Sequence, residues 1–386
     1  MSSSEIIYLD NNATTRVDPR VLEAMLPFLT NFYGNASSTH SLGKEVNKQV
    51  KNSRELIADL LNCDPLELTF TSGSTESINL ALTGYALNNQ HKGKHIVSVK
   101  TEHKAVLDTL IYLESIGFEV TLLETRSDGM LDLQSLRNAM RKDTLLVSVM
   151  WSNNEIGTLH PIKEITNIVH EYGAVIFCDA TQAVGKISIE LRDVSVDMLC
   201  FSAHKFHGPK GVGALFAKMT KGKRKILQPI QFGGGHENGL RSGTLNTPGI
   251  IGMAKALELS HAEMSNDISR VRLLRDLLEE ELLKIPSAFV NGSRSMRIQN
   301  TTNICFPGLD ANVFVEKSNR VAVSNGSACS SAIIEPSHVL KALGLSDEQS
   351  NASIRFSLSR LNIEEEIKNA AQVLKDSIGR EIMKYA

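Results

Sequence analysis

From about residue 66 to residue 216, strand-like and helix-like stretches alternate with short links, and this alternation restricts the fold more than any other feature of the chain. Leu66 to Thr71, His95 to Val99, Phe118 to Leu123, Leu145 to Trp151 and Val175 to Cys178 read as strands. Between them, Thr75 to Asn88, Lys104 to Ser115, Leu131 to Met140 and Ile162 to Glu171 read as helices. Met198 to Phe201 and Gly213 to Ala217 are further strands. The pattern argues an α/β domain around a mostly parallel sheet.

The second half reads differently. Ile268, Val271, Leu274, Leu278, Leu282 and Ile285 recur at helical steps, and Pro286 ends the stripe. Short stretches follow at Thr301 to Phe306, Asn312 to Lys317, Val321 to Val323, Ser353 to Leu358 and Glu364 to Ser377, a mixture expected of a smaller α+β domain. The division expected is a large domain over residues 15–260 and a small one built from 1–14 and 261–386. The helix Arg20 to Leu29 is a candidate to pack against the smaller unit. A length of 386 residues with no long polar linker suits two compact domains.

Charge and composition exclude some functions. With 41 basic against 43 acidic residues, nothing general attracts nucleic acid. No apolar run reaches the roughly 18 residues of a membrane helix. Met1 to Asp10 lacks the basic start and apolar stretch of a secretory signal. Cys63, Cys178, Cys200, Cys305 and Cys329 are odd in number and contain no Cys-x-x-Cys, so a disulfide framework or zinc site is not expected. Free thiols point to the reducing cytoplasm.

Three segments carry chemistry. Thr71-Ser-Gly-Ser-Thr75 stands at a strand-to-helix junction, where unpaired helical N–H groups face any phosphate placed there. A plain capped helix is the bland alternative. Asp179 follows a buried strand and would face a ligand crevice, or cap a helix. Lys205, in Ser202-Ala-His-Lys205, follows another strand; desolvation there makes its amine a Schiff-base nucleophile. His204 and His207 also have the spacing of a metal pair, but no third ligand accompanies them. Taken together, a phosphate cradle, a carboxylate for a pyridine nitrogen and a lysine for an aldehyde match the needs of pyridoxal phosphate.

The motifs extend this match. Tyr8-Leu-Asp-Asn-Asn-Ala-Thr-Thr15, Tyr33-Gly-Asn-Ala-Ser-Ser38, Thr101-Glu-His-Lys-Ala105, Asn153-Asn-Glu-Ile-Gly157, Ser202-Ala-His-Lys205, Arg241-Ser-Gly-Thr244, Ser327-Ala-Cys-Ser330 and Ser353-Ile-Arg-Phe-Ser357 occur in order. In these the chain resembles the cysteine desulfurases, in their NifS/IscS-like branch of the class V aminotransferase-like pyridoxal-phosphate enzymes. The resemblance implies fold type I, with a mostly parallel seven-stranded sheet in the large domain. It also implies roles: Lys205 holds the cofactor, His103 stacks on its ring and helps move protons, Asp179 pairs with the ring nitrogen, and Gln182 hydrogen-bonds the ring oxygen. Ser74, Thr75, Ser202 and His204 hold the phosphate. Thr244 reaches the neighbouring subunit's phosphate, which implies a homodimer. Asn154 and Arg355 bind the substrate amino acid, with Asn11 nearby, and Arg355 grips its carboxylate.

Cys329 stands among small residues in Ser324-Asn-Gly-Ser-Ala-Cys-Ser-Ser331, the composition of a mobile loop rather than a core. By resemblance its thiolate attacks the sulfur of L-cysteine and carries it as a persulfide, and alanine leaves. Cys329 as an iron–sulfur ligand in a partner complex stays open. So does the acceptor: an iron–sulfur scaffold, a tRNA-thiolation relay or a DNA-sulfur system. Ser74 and Ala203 replace the family's common Ala and Gly, and the chain stops at Ala386, short of the tail of scaffold-feeding members. The rival readings are an aminotransferase on the same fold, against which the Cys329 loop argues; a non-catalytic subunit of a sulfur-transfer complex, against which the retained Lys205, Asp179, Arg355 and Cys329 argue; and a His204/His207 metallohydrolase, which predicts bound metal and no yellow colour.

Overall fold

The computed structural model describes residues 6–220, 226–326 and 335–385. Its strands are β1 (Ile7–Tyr8), β2 (Leu68–Thr71), β3 (His95–Val99), β4 (Glu119–Leu123), β5 (Thr144–Ser148), β6 (Val175–Asp179), β7 (Met198–Ser202), β8 (Gly213–Ala217), β9 (Phe289–Val290), β10 (Thr301–Cys305), β11 (Val321–Ala322) and β12 (Ser353–Ser357). Seven of them form one sheet in the order β2-β8-β7-β6-β5-β3-β4. Five neighbours run parallel, and only β8 runs against its neighbours β2 and β7. Both faces are covered, as parallel sheets require. Along β6 and β7, Ile176, Cys178, Leu199 and Phe201 point into one core, and Phe177, Met198 and Cys200 into the other. Each fully buried Phe contributes about 1.5–3 kcal/mol.

A third core lies elsewhere. β10 pairs antiparallel with β9 and β12, and helices Thr247–Leu282 and Glu364–Tyr385 cover this small sheet. The helix Thr247–Leu282 belongs to both units: Ile250, Met253 and Leu257 enter the first core, while Val271, Leu274, Leu278 and Leu282 enter the third. The apolar stripe read from sequence captured only its second half.

Two helices depart from the sequence reading. Pro19–Thr30 buries Val21, and leans Met25, against the core of the large sheet rather than the small unit. The reason is its apolar edge, which meets the first turns of Thr247–Leu282 where Gly252 leaves room beside Met25. Ser41–Leu61 was not anticipated, although Val46, Val50, Ile57 and Leu61 form a buried helical stripe.

The N-terminus is stitched to β12. Ser357 donates to Leu9 O (2.8 Å), Asn11 N donates to Ser357 O (3.0 Å), and Ser324 and Arg355 exchange backbone bonds. This pairing carries residues 10–14 and Gly326 to the C-terminal edge of the large sheet.

Candidate active site

At that edge a cavity of about 620 Å³ opens between the two units. β6 delivers Asp179 to its floor, 5% exposed. Its Oδ1 accepts from Thr181 N (2.9 Å); among the described residues Oδ2 makes no hydrogen bond. After β7 the chain makes one 3₁₀ turn, Ala203–Lys205, and closes it with Gly208, where a Cβ would fall 2.7 Å from that of Ala203. This turn aims Lys205 inward, and its Nζ donates to the carbonyls of Asn12 (2.7 Å) and Ala13 (2.8 Å).

The helix Ser74–Asn89 starts at Gly73, whose φ of 151° and ψ of −177° suit glycine alone, and has no side-chain cap. Its first N–H groups therefore face the cavity beside Ser72, Ser74 and Thr75 as an anion cradle. Ser202 and His204 complete that wall. Ser74 Oγ accepts from Thr181 Oγ1 (2.6 Å), and His204 Nδ1 pairs with Thr14 Oγ1 (3.1 Å). Burial, then the nearby lysines, lowers the His204 pKa to about 4, so the ring is neutral. His207 turns away and pairs with Arg16 O (2.9 Å), so the two histidines share no site.

His103 caps the helix Lys104–Ser115 with Nδ1, which accepts from Ala105 N (3.1 Å). Burial is the largest cause that holds its pKa below the usual histidine value; Asp179 opposes and Lys205 adds. The neutral ring thus carries its proton on Nε2. Gln182 Nε2 donates to Asn12 O (2.9 Å). Arg355, on β12, is 4% exposed: Nη2 pairs with Asp10 Oδ1 (2.5 Å), Nη1 donates to Asn154 O (3.2 Å), and Nε is buried with no acceptor.

The cavity gathers Ser74, Thr75, His103, Asn154, Asp179, Gln182, Ser202, His204, Lys205 and Arg355. It does not gather Asn11, whose amide bonds Ser357 O (2.9 Å) and lines a separate cavity of about 50 Å³, nor Thr244, which is exposed. Cys329 lies outside the described residues.

The structure brings further residues to the site to which the sequence reading gave no role. Asn12 lies beneath Lys205 and Gln182. His338 lines the cavity with Nε2 on Glu102 O (2.9 Å), and Glu155 accepts from Ser337 Oγ (2.5 Å). Glu102, under His103, is fully buried, and burial pushes its carboxyl well above the usual range.

An uncapped helix start, a buried carboxylate with an open oxygen and a lysine amine on backbone carbonyls fit pyridoxal phosphate. Residues 7–370 match the aminotransferase class-V family. The chain is 48% identical over 375 residues to "Cysteine desulfurase IscS" of Methylococcus capsulatus, covering 97% of this chain and 93% of that one. Among solved structures, a "NIFS-LIKE PROTEIN" superposes with TM-score 0.91 at 37% identity, covering 97% of this chain and all of that one. "SspA in complex with cysteine" follows with 0.83 at 35% identity, covering 92% of this chain and 100% of that one. Fold and site thus define a class V enzyme with pyridoxal phosphate as its cofactor. Within that class, the chain belongs to the cysteine desulfurases.

Proposed function

We propose that the chain takes sulfur from L-cysteine, releases L-alanine, and holds the sulfur as a persulfide on Cys329 until an acceptor removes it. The carrying observation is that Lys205, Asp179 and Arg355 open on one cavity whose rim includes Gly326 and Glu335, the two ends of the Cys329 segment. Bound pyridoxal phosphate supplies an aldehyde for the substrate amine and a ring that takes up electrons from Cα.

The chain's residues do the rest. Asp179 holds a proton at the ring nitrogen, and the Ser74 helix start, Thr75, Ser202 and His204 hold the phosphate. His103, in the cavity wall, would contact the bound cofactor and offer its Nε2 proton. Arg355 receives the substrate carboxylate beside Asn154, its unpaired Nε suiting an acceptor there. Lys205 Nζ would take the Cα proton. The Cys329 thiolate then attacks the substrate sulfur. An S–S bond forms as the Cβ–S bond breaks, and the electron pair and a proton go to the departing alanine. Cysteine and thiol become alanine and persulfide, so no oxidant is needed.

Cys329 stands three residues past Gly326, at most about 11 Å of chain. The other four cysteines are buried and form no disulfide among the described residues. Burial pushes the thiols of Cys63 to about 12 and Cys305 to about 11, and those of Cys178 and Cys200 well above the usual value, which makes them poor nucleophiles.

The same reading divides the chain into a large domain (15–260) and a small one (1–14 and 261–386), as the separate cores support. It also makes the enzyme a homodimer. Thr244 faces outward on a loop that Arg241 ties to Glu76 (2.7 Å), in the first turn of the phosphate helix. The acceptor is a protein, an iron–sulfur scaffold or a thiolation relay. Unbonded cysteines suit the cytoplasm, and among the described residues no helix is long and apolar enough to cross a membrane.

The test is alanine and sulfide production from L-cysteine with pyridoxal phosphate and a thiol reductant. Equal amounts are expected, and Cys329→Ala should keep the cofactor but lose turnover. Full sulfide release by that variant refutes the persulfide role.

A further inference from the structure

Lys186 lies four residues beyond Gln182, in the turns that follow β6, and has no part in the scheme above. Its Nζ donates to Gln182 Oε1 (2.5 Å) and to Asn12 Oδ1 (3.2 Å). Both contacts have a fixed sense. Asn12 Nδ2 faces Asn154 O (3.1 Å) and Thr301 Oγ1 (2.9 Å), so its Oδ1 must face Lys186. A backbone carbonyl only accepts, so the Gln182 atom on Asn12 O is Nε2, and the atom on Lys186 is Oε1. The residue keeps some exposed surface, but its amine is enclosed, and burial, with Lys205 and Arg355 nearby, pulls its pKa well below the usual lysine value. A neutral amine still has two N–H groups for its two acceptors, so the arrangement holds in either charge state.

We infer that Lys186 is a positioning residue that fixes the Gln182 amide so that its remaining N–H serves as the donor to the cofactor's ring oxygen. Oε1 and one Nε2 hydrogen are occupied by the protein. The second Nε2 hydrogen has no acceptor among the described residues, and Gln182 lines the cavity. Without Lys186 only the Asn12 carbonyl holds the amide, and Oε1 loses the donor that opposes its rotation toward an anionic ring oxygen, which it would repel. The inference rests on pyridoxal phosphate occupying this cavity.

The experiment is a pyridoxal-phosphate titration of the apoprotein, followed by the visible absorbance band of the bound cofactor, which reports the anionic ring oxygen. Lys186→Met should diminish that band and raise the cofactor dissociation constant roughly tenfold, the equivalent of one hydrogen bond. Gln182→Leu should do the same, and Lys186→Met should add nothing in the Gln182→Leu background. A Lys186→Met change that is equally large in that background, or a band and affinity like the wild type's, overturns the proposal. If Lys186→Met does not fold, Lys186→Gln carries the test: its amide N–H should preserve the band, and a loss as deep as that of Gln182→Leu overturns the proposal. Wild-type protein with no visible band refutes the cofactor reading, and this role with it. A band that Lys186→Met leaves unaltered refutes only this role.

Discussion

Arg355→Lys separates substrate recognition from folding. The guanidinium has five N–H groups. One serves Asp10 and one serves Asn154 O, which leaves three, including that of the buried, unpaired Nε. A substrate carboxylate can take two of these side by side. Lysine keeps the charge beside Asp10, so the ion pair that holds the N-terminal segment survives. It cannot offer a planar pair of donors. The loss is one charge-assisted hydrogen bond, about 1.5–3 kcal/mol. At 1.36 kcal/mol per factor of ten, KM for L-cysteine should rise roughly 10- to 150-fold. The assay is alanine release across a cysteine series, with cofactor absorbance measured in parallel. The absorbance should stay at the wild-type level, because the proposed role of Arg355 is to hold substrate and not cofactor. A KM within twofold of the wild type, or cofactor loss that matches the loss of activity, would refute the assignment.

Two further outcomes follow from burial and backbone geometry. His160 and His207 are each 4% exposed, and burial is the largest cause that lowers both pKa values to about 4. Against about 6.5 in the unfolded chain, the unfolded state binds more protons between these values, so stability is full above about pH 6.5 and falls as pH drops toward 4. Each histidine costs up to about 2 kcal/mol between pH 7 and pH 5. Urea unfolding should show a smaller drop over that range for His160→Gln than for the wild type; equal drops would contradict the account. Gly73→Ala places Cβ an ordinary 3.4 Å from Ser202 Oγ, so its cost is backbone strain, about 1–3 kcal/mol. Thermal unfolding of the apoprotein should register that loss, and an alanine variant as stable as the wild type would show that the loop needs no glycine.

The alternation of strand and helix, and the positions of Asp179, Lys205 and the Ser74 helix start, could be read from sequence because each is local. A strand end, a turn and a cap are written in consecutive residues. The helix Ser41–Leu61 is equally legible in its stripe of Val46, Val50, Ile57 and Leu61. The role of Arg355 is implied by resemblance alone; the small residues around Cys329 set it apart from a core cysteine, but its role as sulfur carrier is implied only by resemblance. Asn12 stands in a quoted motif but without a role, and His338 and Lys186 gave no signal. Their roles exist only where distant segments meet: Arg355 with Asp10 across 345 positions, His338 with Glu102 across 236, and Lys205 with Asn12 across 193. Periodicity decides which face of an element is buried. The tertiary structure decides which carbonyl lies under a lysine, because pairing of the N-terminal segment with β12 sets the distance between the two units.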